Sequence, residues 1–339
     1  MKKKILFVTG TRADFGKMKT IIKEVKNNKN FTTFIVVTGM HMLPQFGSTY
    51  QEVEKSFKLN IIKFKNQKFG ESMENILTKT INRFSKIVKK INPDLIVFHG
   101  DRVETLACSI VGSMNHILTA HLEGGEISGS IDDSIRHAVT KLSHTHFVGN
   151  LKAQQRILRM GEIKKNTFVV GSADNDIILT KKLPNFNYVK KHYDIKFNEY
   201  AILLWHPVTS ELASLKSTTV KLINFINMIK TNFVVIYSNN DPGTNIIIST
   251  YKKLLNKNNS KLLKSMRFEN FLSLLKNAKF ILGNSSSGIY EAPILGTPCF
   301  NIGSRQNKRI KSQAIKDLNI NQMNELSIIN FLKKYKKIK

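Results

Sequence analysis

The sequence predicts an α/β protein of two Rossmann-like domains, each a parallel sheet with helices on both faces. Three observations lead there. Short apolar runs alternate with longer segments of helical period, the alternation fades between Gly171 and Asn198 before restarting, and glycine-bearing turns fall directly after the apolar runs. A chain of 339 residues is long enough for two cores, since one domain takes roughly 100–200 residues. Its hydrophobic fraction of 41% and charged fraction of 23% are those of a globular protein.

Taken in order, strands are expected at Ile5–Thr9, Thr33–Thr38, Leu95–His99, Ile117–Leu122, His146–Gly149 and Thr167–Val170. The clearest helix lies between them at Glu71–Ile91. There Ile76, Leu77, Thr80, Ile81, Phe84, Ile87, Val88 and Ile91 recur at three- and four-residue steps and form one apolar face. The polar stretch around Pro184 reads as a linker, which gives domains at residues 1–172 and 173–339. Beyond it, strands are expected at Tyr200–Trp205, Asn232–Tyr237, Leu262–Ser265, Phe280–Gly283 and Pro298–Ile302. A last helix, Glu325 to Lys337, either closes the second domain or packs back on the first.

The balance of 53 Lys+Arg against 24 Asp+Glu leaves a formal net charge of +29, which favours anionic partners in general. The lysines are scattered over helical faces and loops (Lys23, Lys26, Lys29, Lys89, Lys90, Lys252, Lys253), with no zinc-ligand spacing and no interleaving of aromatic and basic residues. No nucleic-acid partner is therefore expected. Lys333, Lys334, Lys336, Lys337 and Lys339 read as a solvated helix end. Cys108 and Cys299 each sit in an apolar stretch and read as core residues of a reducing compartment. The apolar run after the first lysines stops at Val8, short of the roughly 7–15 residues of a signal peptide's core. No run approaches the ~20 apolar residues of a membrane span, so a cytoplasmic location without a membrane partner is expected.

In open α/β sheets, ligands bind outside the carboxyl ends of the strands, so the chemistry is sought there. After the first strand comes TGTRADFG (residues 9–16), a turn whose backbone N–H groups can approach an anion while Arg12 offers a bidentate phosphate donor. After the third comes HGDR (99–102), with Asp101 and Arg102, and after the fourth HLEGGE (121–126), with Glu123. Acidic residues at two neighbouring strand ends would face one another, and Gly100, Gly124 and Gly125 would admit a ligand close to the backbone. Next, SIDDSIRH (130–137) places Asp132 and Arg136 on one helical face, and Asp133 and His137 on another. One Asp is expected to cap that helix, the other to be held ionised by Arg136. Crowded carboxylates separate their pKa values, which suits acid–base work.

In the second half, WHPVTSE (205–211) puts His206 at a strand end before a proline turn. The strongest single signal is ILGNSSSGIYEAP (281–293). A buried strand there runs into a turn in which Ser285, Ser286, Ser287 and Gly288 can hold a diphosphate at a helix start. Glu291, about one turn on, can accept hydrogen bonds from ribose hydroxyls.

These stations, in this order, resemble the UDP-N-acetylglucosamine 2-epimerases, and most closely the hydrolysing branch that feeds sialic-acid-type sugars. The matching pieces are TGTRADFG, HGDR, HLEGGEISGSIDDSIRH (121–137), WHPVTSE, NSSSGIYEAP (284–293) and NIGSRQ (301–306), and they span nearly the whole chain. The resemblance implies a glycosyltransferase-B-like fold, with two Rossmann-like domains facing across a cleft that holds UDP. It places the catalytic carboxylates on Asp101, Glu123 and Asp132. Phosphate contacts fall on Arg12, His206, Ser285 and Ser286, and the ribose contact on Glu291. Arg102, Arg136 and His137 are candidates for supporting roles. An aspartate at 132 favours the hydrolysing branch, since the other branch usually has glutamate there. After Arg305 and Gln306 the family often has a glycine before an arginine, where this chain has Lys308 before Arg309. The chain also stops somewhat short of the family's usual length.

The implied reaction converts UDP-N-acetylglucosamine, or a related UDP- or GDP-linked 2-acetamido sugar such as diacetamido-bacillosamine, into nucleotide diphosphate and the free C2 epimer, of N-acetylmannosamine type. It proceeds by loss of the C2 proton and the nucleotide, then addition of water, in the service of nonulosonic acid synthesis. The chemistry calls for no cofactor and no metal, and a homo-oligomer, dimer or tetramer, is expected. The alternatives are a non-hydrolysing epimerase whose product keeps its nucleotide, a glycosyltransferase of the same fold, and a non-catalytic nucleotide-sugar binder.

Overall fold

The computed structural model describes residues 1–180, 183–309 and 311–335. Lys336, Lys337 and Lys339 of the basic end lie outside the described residues. The chain divides into two units, one of residues 1–127 and 131–176, the other of residues 128–130 and 177–339.

The first unit runs β1 (Lys3–Thr9), α1 (Arg12–Asn27), β2 (Phe31–Val37), α2 (Tyr50–Ser56), β3 (Asn60–Lys63), α3 (Met73–Ile91) and β4 (Leu95–His99). It continues with α4 (Val103–Met114), β5 (Leu118–Leu122), α5 (Ile131–Lys141), β6 (Thr145–Val148), α6 (Leu151–Arg159) and β7 (Thr167–Val169). The division falls inside α7 (Ala173–Thr180). The second unit opens with α8 (Phe186–His192), β8 (Ala201–Leu204), α9 (Leu215–Met228), β9 (Phe233–Ile236), α10 (Thr244–Leu254) and β10 (Ser260–Leu263). It ends with α11 (Phe268–Asn277), β11 (Ile281–Gly283), α12 (Glu291–Ile294), β12 (Cys299–Ile302), β13 (Ile315–Leu318) and α13 (Glu325–Lys334).

Among the described residues the strands form two sheets. The seven-stranded sheet has the order β3-β2-β1-β4-β5-β6-β7 and the six-stranded sheet β10-β9-β8-β11-β12-β13. The strand pairs are parallel throughout, for example Ile5 against Leu95 and Gly283 against Leu204. Both orders reverse direction between their central strands, β1/β4 and β8/β11, and such a switch point opens a crevice at the carboxyl ends.

Period-two alternation explains the layers. In the first unit Ile5, Phe7, Val97 and Leu122 face Phe15, Met18 and Ile22 of α1 and Val53 of α2. Leu6, Val8, Ile96 and Phe98 point the other way, onto Phe84 and Val88 of α3, Val111 of α4 and Val139 of α5. In the second unit Ile202, Leu204, Val234 and Ile236 pack on α11, while Ala201, Leu203, Phe233, Val235 and Phe300 meet α9, α10 and Ile328 of α13. Cys108 and Cys299 are both buried and free. Among the described residues no helix is long and apolar enough to cross a membrane.

Candidate active site

The turn after β1 is built differently from the expected anion cradle. Thr11 caps α1 and Asp14 completes a capping box. The Asp14 carboxylate accepts from the N–H groups of Gly10 (3.0 Å) and Thr11 (3.1 Å), so those two donors are already taken. Thr9 also donates to Asp14, and Thr9 Oγ1 lies 2.9 Å from Nε2 of His41. Burial raises the Asp14 carboxyl and pushes His41 down to about 3, so His41 is neutral. Arg12 projects beyond this cluster, and its Nε meets Glu52 of α2 at 2.7 Å. What the turn offers an anion is therefore the Arg12 side chain, already partly balanced by Glu52.

The acidic residues after β4 and β5 fall into two groups. Asp101 joins Arg136 of α5, which also meets Asp133 at 2.9 Å and donates to the Glu126 carbonyl at 2.8 Å. Burial alone would lower the Arg136 guanidinium, but Asp101 and Asp133 outweigh it and raise it. Arg136 thus pairs with Asp133, three residues back, where the spacing had suggested Asp132. Nor does either aspartate cap the helix. α5 begins at Ile131, so both lie inside its first turn, where the helix dipole favours negative charge.

Glu123 belongs to the second group. Its carboxylate takes Lys17 of α1 at 2.8 Å and His99 Nε2 at 3.1 Å, and Ser172 donates to its other oxygen. Burial pushes the Glu123 carboxyl up, but the charges of Lys17 and His99 overcome it and hold it well below the usual carboxylate range. Asp101 and Glu123 each pair with a cation, Arg136 and Lys17, where crowding among carboxylates had been expected. Glu123 also stands at φ +59, the left-handed region. Of the three glycines here, only Gly100 leaves open space beside it. Gly124 lies against His121 and Thr140, and Gly125 against the Ala153 carbonyl. Arg102 occupies the cap position of α4, and half-buried His137 is lowered by desolvation and by Arg136.

In the second unit the residues after β8 and β11 are tied together by Asn284. Its Oδ1 accepts from the His206 N–H at 2.7 Å and its Nδ2 donates to the His206 carbonyl at 2.8 Å. The Asn239 N–H donates to His206 Nδ1 at 3.2 Å, which leaves the proton of a neutral ring on Nε2. Arg305 and Gln306 both donate to the Asn284 carbonyl. Ser285 Oγ accepts from the Ser287 N–H, so that serine is a cap for the short 3-10 turn Ser286–Gly288. The helix expected to open at the serines is this 3-10 turn followed by the single turn of α12, which Glu291 opens from a buried position. Ser286 and Ser287 are half-buried, while Gly288 is packed against Cys299. Arg309 donates to the Tyr290 hydroxyl and lies over its ring, which gives the loop after Gln306 a definite place beside Glu291.

Sequence reading missed Lys17, His99, Glu52 and Asn284 as site residues. Lys17 falls one turn beyond the capping box, which is a readable cue. His99 and Asn284 open the HGDR and NSSSGIYEAP pieces and could have been read from them, while Glu52 meets Arg12 from 40 residues away and carries no local signal.

The chain matches the UDP-N-acetylglucosamine 2-epimerase family over residues 23–335. It is 41% identical over 315 residues to the UDP-N-acetylglucosamine 2-epimerase of Neisseria meningitidis serogroup B, a match covering 92% of this chain and 83% of that protein. Over 333 residues it is 34% identical to a Campylobacter jejuni protein named GDP/UDP-N,N'-diacetylbacillosamine 2-epimerase (hydrolyzing), covering 96% and 86%. Among solved structures, the UDP-GlcNAc 2-epimerase of Methanocaldococcus jannaschii, in complex with UDP-GlcNAc and UDP, superposes with a TM-score of 0.81 at 21% identity, covering 99% and 93%. That likeness concerns the fold, while the sequence matches reach the lineage: this chain belongs to the UDP-N-acetylglucosamine 2-epimerase family.

Proposed function

We propose that the protein is the hydrolysing kind of nucleotide-sugar 2-epimerase, acting on UDP-N-acetylglucosamine or a close 2-acetamido relative and releasing the free C2 epimer and UDP. The observation that carries the acid–base part is the Glu123 carboxylate, held ionised by Lys17 and His99 at a strand end beside the switch point. A base that must remove a poorly acidic C2 proton has to be deprotonated at rest, and Glu123 meets that demand.

Glu123 takes the C2 proton while the C1–O bond breaks and its electron pair leaves with UDP. A C1=C2 double bond results. Water then adds its oxygen at C1, and a carboxylic acid delivers a proton to the opposite face of C2. Asp101 and Asp132 share that return step and the activation of water, with Arg136 fixing Asp101. His206, Ser285, Ser286 and Ser287 stabilise the departing diphosphate, a role the family resemblance also gives to Arg12. Gly288 keeps the serine turn close to β12, and Glu291 takes the ribose. Hydrolysis is favoured by the aspartate at 132 and by the name of the Campylobacter relative. The plain epimerase name of the Neisseria relative is the observation on the other side.

The test is to offer the protein UDP-N-acetylglucosamine, its diacetamido-trideoxy analogue and their GDP counterparts in heavy water, followed by NMR. Free nucleotide diphosphate together with a deuterated C2 epimer is expected. Deuterium at C2 with the nucleotide still attached would make it the non-hydrolysing kind. Binding with no deuterium incorporation from any sugar would end the epimerase reading.

A further inference from the structure

His121 ends neither as a ligand contact nor as ordinary core. It is wholly buried, at 0% exposure, on β5 two residues before Glu123. Its Nε2 lies 2.8 Å from the carbonyl oxygen of Gly100, the residue before Asp101. A carbonyl can only accept, so Nε2 carries a proton. Its Nδ1 lies 3.2 Å from the Thr140 hydroxyl. Burial drives the ring to about 3, so it is neutral, and Nδ1 accepts the hydrogen from Thr140.

Three parts of the carboxylate cluster rest on this one ring. Gly100 leads into Asp101 through a residue at φ +75, a backbone with no side chain of its own to hold it. Gly124 lies so close that a Cβ there would stand 2.8 Å from His121 Nδ1 and 3.0 Å from Thr140 Oγ1, which seats the Glu123–Gly124 turn on the ring. Thr140 stands one helical turn after Arg136 on α5, and Arg136 is the partner of Asp101. Phe98 closes the remaining side with its ring centroid 6.0 Å away. A hydrogen-bonded imidazole in a dry pocket is a stiff strut, since a donor or acceptor left alone there is costly.

We propose that His121 is a positioning residue: with one edge on the Gly100 carbonyl and the other on Thr140, it sets the backbone that presents Asp101 and Glu123. The role rests on the catalytic duties assigned above to those two carboxylates. A glutamine can return an N–H to the place of Nε2, whereas leucine fills the space with no donor.

Turnover and UDP affinity are to be measured for His121→Leu and His121→Gln, with melting temperatures for both and for Val88→Ala as a core control of similar destabilisation. His121→Leu should lose about 10²-fold in kcat, the cost of a catalytic group misplaced by about 1 Å, with KM and the calorimetric Kd for UDP within about threefold of wild type. His121→Gln should recover at least about tenfold of that loss, and Val88→Ala should keep wild-type kcat. A kcat for His121→Leu within threefold of wild type, a loss confined to UDP affinity, or an equal loss in Val88→Ala would overturn the proposal. Amide NMR gives a readout that needs no turnover. In His121→Leu the Asp101 and Gly124 resonances should move while those of Ser285–Gly288 hold still, and unmoved Asp101 and Gly124 signals would also refute it. A wild-type protein that exchanges no sugar proton refutes the functional reading instead, and leaves the spectra to judge His121.

Discussion

Lys17 and Glu123, 106 residues apart in the chain, meet at 2.8 Å inside the first unit. The ammonium comes from the second turn of α1 and the carboxylate from the turn after β5, so the pair joins the two sides of the switch point. Its consequence is chemical, because burial raises the acid and Lys17 is, with His99, one of the two groups that hold it down.

Replacing Lys17 by Met therefore shifts the pH dependence of turnover. With that charge gone, His99 is left to oppose burial and the Glu123 carboxyl rises. The acid limb of kcat should move up by about 1–3 pH units, the span one close opposite charge accounts for. The wild-type pair also adds stability. Because the folded carboxyl is lowered, that stability is complete above the ordinary value of 4.5 and fades as pH falls toward the folded one. An acid limb in Lys17→Met that overlays wild type would remove Lys17 from this role.

Asp101→Asn, Glu123→Gln and Asp132→Asn should each slow turnover by roughly 10²–10⁴ while UDP binds as before. Initial rates and calorimetry on the same preparations give both numbers. Unchanged rates in all three would take these carboxylates out of the reaction.

Buried imidazoles predict acid sensitivity well above the carboxylate range. His41 and His121 hold folded values near 3 against 6.5 in the unfolded chain, and His137 and His146 are displaced in the same direction. Below 6.5 the unfolded state binds more protons, so stability drops as pH falls, by up to about 1.4 kcal/mol per pH unit for each fully buried ring. Asp14, raised by burial, acts in the opposite sense above 3.8, one carboxyl against several rings. Guanidinium denaturation between pH 7 and pH 5 should show midpoints falling steadily. A flat series would mean these rings are charged in the folded protein.

Gly288→Ala should destabilise by about 1–3 kcal/mol, because its Cβ would stand 2.5 Å from the Cys299 Sγ. Pairing it with Cys299→Ala should recover much of the loss, which a double-mutant cycle by chemical denaturation reads as coupling. Additive effects would show that the serine turn is not pressed against β12 through this contact.

The strand ends were legible because buried strands of a parallel sheet are nearly continuous apolar runs, and Leu95–His99 falls where the runs put it. The two strands that escaped reading, β3 and β13, are sheet edges. Asn60–Lys63 and Ile315–Leu318 each pair on one side only and carry Asn, Lys and Asp, so their pattern is diluted. At the site, which residues stand at the strand ends could be read from position, but not their partners. Asp14 looked like part of an anion turn because its capture of the Gly10 and Thr11 N–H groups is a matter of rotamer. Arg136 took Asp133 and Asp101 by a choice among acids that only packing decides.

Glu123 keeps its side chain at a backbone angle that suits glycine, a strain of the order of 1–2 kcal/mol for a residue with a Cβ. A glycine there would ease the turn and leave no acid stranded in the interior. Anyone ranking substitutions by thermal tolerance would thus find position 123 inviting and, on the role proposed for Glu123, silence the enzyme by improving the scaffold; the strain marks a place where durability and chemistry pull apart.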